Sequence, residues 1–298
     1  MREIIDCHSH IGTDWLWGPC DLEEYLKLAE KLSITESMLM IAPGLRINGK
    51  RIQIYEYKDN HTKYTSEFSG LNVKSYIFNN YLLRELKKVP EPEKIHFIPI
   101  IHPFFNDIDY LYFLKERYDV KAFKVHGTAM GFHPGMINKD YIKALKKIDI
   151  PIIVHTDINK TLPRDAIQNM NNPYDWTMFF IDNEIKGYIT HAARLDFRCF
   201  DLINKNDNLV IGIAPDLMII YNKNRLMYQP NDTDTVLSIL SDNVDHSKIM
   251  FDVDFSWNVN NGQEKIMDYN QVDRIDNVFN EEDREKVLSK NARRFFNL

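Results

Sequence analysis

Apolar residues in this chain follow two alternating rhythms: short runs that stay hydrophobic, and longer stretches in which they recur every three or four residues. The first run, residues 3–13, leads into residues 21–32, where Leu22, Tyr25, Leu26 and Ala29 recur at helical spacing. Asp21 stands at the N-cap position there, with Glu23 and Glu24 in the first turn. A second apolar run, 37–43, is closed by Pro43 and Gly44. After Pro92 the alternation becomes regular. Strands are predicted at 94–103, 120–127, 150–157, 186–194, 208–215 and 248–256, and helices at 107–118, 139–148, 173–183, 196–205, 232–240 and 281–296.

Most of the strands are apolar on both faces, which marks a parallel sheet covered on all sides. Eight such strand and helix units in about 250 residues make a (β/α)8 TIM barrel, so residues 1–298 are read as one domain. Residues 45–92 break the rhythm, being polar and Tyr-rich through Phe68, then helical over 78–89 up to the Pro90-Glu91-Pro92 breaker. They are expected to form an insertion after strand two that covers the barrel mouth as a lid. A doubly wound open sheet fits less well, because the first strand-to-helix turn has no Gly-rich phosphate fingerprint.

Composition narrows the partners. With 298 residues, 44% hydrophobic and 12% aromatic, the chain can bury a large core. A net charge of -6 gives no footprint for nucleic acid. Cys7, Cys20 and Cys199 show no metal-type spacing and cannot all pair, which suits a reducing compartment, so a cytoplasmic location is expected. No apolar run approaches the roughly 20 residues of a membrane helix, and the opening residues lack the plan of a signal peptide.

The chemistry gathers at strand ends. Side chains alternate faces along a strand, so His8 and His10 point one way while Cys7 and Ser9 point the other, and both imidazoles can reach one cation. In a barrel the C-terminal strand ends share one mouth. Those ends carry His8 and His10, then Lys124 and His126, His155, His191 and Asp254, with His102 at the third.

Five stretches resemble the amidohydrolase superfamily, and within it the amidohydrolase-related group that includes metal-dependent decarboxylases: Asp6-Cys7-His8-Ser9-His10, Lys124-Val125-His126, Ile153-Val154-His155-Thr156, Thr190-His191-Ala192-Ala193-Arg194 and Phe251-Asp252-Val253-Asp254-Phe255. Residues 288–296 are similar to that group's last helix. The resemblance implies a divalent metal, most often zinc with manganese or iron as alternatives, held by His8, His10, His155 and Asp254, with His191 beside it. Imidazoles and a carboxylate suit zinc, and water at an open zinc position ionises near pH 7. Asp254 and His191 are then the catalytic pair. Asp252 shares the parity of Asp254, and the choice between them rests on the resemblance alone.

Lys124 stands where binuclear relatives carry a carboxylated lysine, so it is a ligand only if two metals bind. Arg194, His126, Lys124 and Trp15 are the candidates for substrate contact, with Arg194 suited to a carboxylate or phosphate. The leading expectation is hydrolysis of a small amide, ester or lactone. Decarboxylation of an aromatic or unsaturated acid is the alternative, and a barrel that only binds is a third. The resemblance also admits a homodimer.

Overall fold

The computed structural model describes residues 2–14, 18–42, 44–47, 50–53, 71–104, 108–156, 170–213, 217–222, 225–230, 233–255 and 270–298. Eight parallel strands close on themselves: β1 (Ile5–Asp14), β2 (Glu36–Ile41), β3 (Ile95–Ile98), β4 (Phe123–Val125), β5 (Ile152–Val154), β6 (Gly187–Ile189), β7 (Leu209–Gly212) and β8 (Ile249–Met250). Each pairs with the next in chain order, β3 and β4 meeting through a bridge between Ile100 and Lys124. Closure comes from the last strand and the first. Cys7 N–H donates to Phe251 O at 3.1 Å, Asp254 N–H to His8 O at 2.8 Å, and His10 N–H to Phe255 O at 2.8 Å.

Two cores result. Inward residues Ile5, Cys7, Met38, Met40, Ile98, Ile153, Tyr188, Val210 and Met250 fill the barrel, while a larger cluster packs the strands against the surrounding helices. The closing helix Asn291–Phe296 plugs the lower end, with Phe296 edge-on to Tyr188 and Arg293 paired with Glu3 and Glu36. The opposite mouth receives the C-terminal strand ends.

Several expected boundaries shift. Strand six ends at Ile189, well before Arg194, because residues 191–195 all take positive φ. Helix 78–89 is instead Leu71–Leu86, the connector between β2 and β3, and its Asn79 side chain holds both the N–H and the carbonyl of Ile100. A hairpin, Gly44–Ile47 with Lys50–Gln53, precedes it. A second hairpin, Leu217–Asn222 with Arg225–Pro230, and the helix Gln271–Val278 were not foreseen. Among the described residues no helix is long and apolar enough to cross a membrane.

Candidate metal centre

The centre begins with an irregularity in β1. Its pairing with β2 shifts register between Asp6 and Ser9, a bulge that adds one residue on the β1 side. Cys7 can therefore sit in the barrel core while His8 and His10, one step out of phase with it, both face the mouth. Strict alternation would have sent Cys7 and the two histidines to opposite faces.

His8 and His10 meet with their Nε2 atoms 3.0 Å apart. Asp254 Oδ1 lies 3.6 Å from His8 Nδ1 and 3.5 Å from His10 Nε2. One donor atom from each of these three buried residues falls within 4.8 Å of the others. Asp252, the competing carboxylate, is 3.8 Å from His8 Nδ1 but accepts a 2.5 Å hydrogen bond from Tyr188 OH, and Gly212 supplies the space for that pair.

His191 Nδ1 is 3.7 Å from Asp254 Oδ2, and its Nε2 is 2.9 Å from His155 Nδ1. His155 stacks on His126 with ring centroids 4.0 Å apart. The five imidazoles and Asp254 thus form one connected cluster, in which His155 stands one step further from the trio. Lys124, 1% exposed, places Nζ 2.8 Å from His8 Nε2. Arg194 is half-buried and donates from Nε to Thr156 O at 3.0 Å. Trp15 lies outside the described residues.

Burial pushes the His8, His10, His155 and His191 imidazoles well below the ordinary histidine range, and His126 to about 3, with the Lys124 charge adding to the effect. Burial also pulls the Lys124 ammonium down, against the attraction of Asp254 and Asp252. Neutral imidazoles are the metal-binding form. Among the described residues, the buried Nδ1 atoms of His8, His10 and His191 have no hydrogen-bond partner. Two nitrogens on one tetrahedral zinc, each at about 2.0–2.1 Å, sit roughly 3.3 Å apart, near the observed His8 to His10 spacing. The residues present fit a divalent cation.

Several polar side chains outside the cluster serve the scaffold. Tyr25 is fully buried beneath β1 and donates to Asp6 Oδ2 at 2.8 Å. His133 accepts from Gly135 N–H and contacts Asp175, tying its loop to the helix Pro173–Asn183. His96 and His246 pair with Glu36 and Asp283 away from the centre. The hydroxyl pair Thr156 and Thr190, which zips the ends of β5 and β6 between His155 and His191, went unrecognised. Its only sequence signal was a Thr beside each histidine.

No protein-family model matches the chain, and no curated protein does. Solved structures do match over its whole length. It aligns with 2,6-dihydroxybenzoate decarboxylase, in complex with 2,6-dihydroxybenzoate, at TM-score 0.66 and 12% identity, covering 100% of this chain and 99% of that one. A manganese-bound 5-carboxyvanillate decarboxylase from Novosphingobium aromaticivorans aligns at TM-score 0.67 and 8% identity, over 100% and 97% of the two chains. A probable 2-pyrone-4,6-dicarboxylic acid hydrolase from Acinetobacter baumannii gives TM-score 0.60 and 13% identity, over 99% of both. The chain carries the (β/α)8 barrel fold that these structures share. Within that fold, the cluster just described lies where the ends of β1, β4, β5, β6 and β8 converge.

Proposed function

We propose that this chain is a divalent-metal-dependent hydrolase that cleaves an ester, lactone or amide bond in a small, carboxylate-bearing molecule. The observation that carries this reading is the shared carboxylate of Asp254, whose Oδ1 faces His8 and His10 while its Oδ2 faces His191. His8, His10 and Asp254 would hold the cation, with His155 completing the set through its remaining nitrogen. A bound divalent cation supplies Lewis-acid polarisation of a carbonyl and lowers the pKa of water to roughly 7. Zinc suits the imidazole-rich donor set, and the likeness to a manganese-bound barrel makes manganese the second choice.

The protein's own groups supply the rest. Asp254 accepts the proton of the attacking water and returns it to the leaving oxygen or nitrogen. His191 donates from Nδ1 to the same region and is oriented by His155. Arg194, anchored through Nε on Thr156 O, brings a positive charge that recognises a substrate carboxylate. Lys124 adds a second positive charge beside His8.

Decarboxylation of an aromatic acid is the second reading, supported by the likeness to two decarboxylase structures. Both readings use the same metal and the same Arg194. Incubating metal-loaded protein with lactones, esters and hydroxybenzoates, while following acid production and carbon dioxide release separately, divides them. Acid without carbon dioxide supports hydrolysis; carbon dioxide from an aromatic acid supports the second reading; neither, across a broad panel, argues for a barrel that only binds.

A further inference from the structure

Asp254 reaches the cation site because the backbone around it leaves the strand ladder, and two side chains of β1 replace the lost bonds. Val253 N–H donates to Asp6 Oδ1 at 3.0 Å and Phe255 N–H donates to Ser9 Oγ at 3.1 Å, while Asp254 N–H donates to His8 O at 2.8 Å. Between these anchors Asp254 turns to φ 52°, a conformation that L-residues avoid.

The same Asp6 oxygen accepts the N–H of His8 at 3.2 Å. One carboxylate oxygen therefore grips both chain segments that carry the candidate ligands. Its other oxygen accepts from Ser9 Oγ at 2.5 Å and from Tyr25 OH at 2.8 Å, and Tyr25 OH in turn lies 2.6 Å from Ser37 Oγ. Asp6, Ser9 and Tyr25 are each 0% exposed. This network lies on the side of β1 that packs against the helix Leu22–Lys31, behind the histidines, so Asp6 does not touch the cation.

We propose that Asp6, with Ser9 and Tyr25 as its donors, is the positioning residue of the metal centre. It fixes the separation between His8 and His10 on one strand and Asp254 on the segment that closes the barrel. The proposal rests on the metal-dependent reading given above. Ligand-orienting groups of this kind, when removed, typically cost 10–100-fold in metal affinity.

The test is titration of chelator-stripped wild type, Asp6→Asn, Ser9→Ala and Tyr25→Phe with zinc and manganese, alongside thermal melts in EDTA. Asp6→Asn keeps the side-chain shape but gives Ser9 and Tyr25 no second acceptor; Tyr25→Phe removes a single donor and keeps the ring. The expected result is metal binding weakened 10–100-fold in Asp6→Asn and by a smaller but measurable factor of about three- to tenfold in Ser9→Ala and Tyr25→Phe, whose EDTA melts stay near that of wild type. Unchanged metal affinity with a lowered EDTA melting temperature would reduce the network to scaffolding and overturn the proposal. Should Asp6→Asn fail to fold, Ser9→Ala and Tyr25→Phe decide on the same criterion. Wild-type protein that binds neither metal would overturn the metal reading itself, and the proposal with it.

Discussion

Asp254 and His191 both occupy left-handed backbone, at φ 52° and 56°, and from there the carboxylate Oδ2 and the imidazole Nδ1 face each other across 3.7 Å. Neither is glycine, and neither conformation is cheap. Backbone outliers of this kind cluster at functional sites, where surrounding structure holds them in place. Here the holding groups are visible: Asp6 and Ser9 around Asp254, Thr156 and Thr190 beside His191.

Asp254 is expected to matter most for turnover. Asp254→Asn keeps the volume but cannot accept the water proton, so kcat/KM of the metal-loaded enzyme should fall by about 10²–10⁴-fold, the usual contribution of a general base. Steady-state kinetics with metal content measured on the same sample would check this. Full activity in a metal-replete Asp254→Asn variant would remove the residue from its role.

Arg194 is expected to act on binding of the substrate's charge. Arg194→Gln should raise KM for a carboxylate-bearing substrate by about 10–100-fold, the loss of a charge-assisted bond worth roughly 1.5–3 kcal/mol, and change KM for the corresponding methyl ester little. Equal effects on both would mean that Arg194 only secures the turn through Thr156.

The turn at His191–Leu195 gives an unusual stability expectation. Ala192 and Ala193 are 0% exposed at φ 49° and 48°. Left-handed backbone costs an L-residue about 1–2 kcal/mol, which glycine escapes, whereas losing a buried methyl costs about 0.8 kcal/mol and the freer unfolded chain takes most of the remainder. Ala193→Gly should therefore stay within about 0.5 kcal/mol of wild type. The control is Ala144→Gly in the helix Lys139–Ile148, where nothing is relieved and roughly 1–2 kcal/mol should be lost. Denaturant unfolding of both variants compares them, and equal losses would contradict the expectation.

His102 sets a pH expectation outside the centre. Burial lowers its imidazole to about 4 from the ordinary 6.5, and its two nitrogens are engaged, Nε2 donating to Met130 O and Nδ1 accepting from Phe104 N–H. The unfolded chain then binds a proton below pH 6.5 that the folded chain refuses until about pH 4, so stability falls as pH drops through that window. Relative to His102→Gln, wild type should lose about 2 kcal/mol more between pH 7 and pH 5. Parallel pH dependence of the two proteins would refute this.

The barrel was legible in the chain because parallel strands buried on both faces leave long apolar runs, and because each run ends in turn or metal-ligand residues. His8, His10 and His191 could be picked out on that basis, and Asp254 over Asp252 by the family resemblance, and the structure brings the four together. What supports them was not legible. The bulge that brings Cys7 and His8 to the same side of β1 depends on pairing with β2, and the bond from Val253 N–H to Asp6 joins residues 247 positions apart. The turn at residues 191–195 carries no glycine to announce positive φ, so strand six was extended through Arg194. Tyr25 read as one of the apolar positions of the first helix, and the bond from its hydroxyl to Asp6 went unread because Asp6 lies in another element.

Everything chemical depends on one cation seated among His8, His10 and Asp254. Elemental analysis of protein purified without chelator, after dialysis against equimolar zinc, measures this most directly, with His8→Ala as the matched control. The expected result is about one divalent ion per chain in wild type and a large loss in His8→Ala. Metal-free wild type, or identical occupancy in the two proteins, would contradict it.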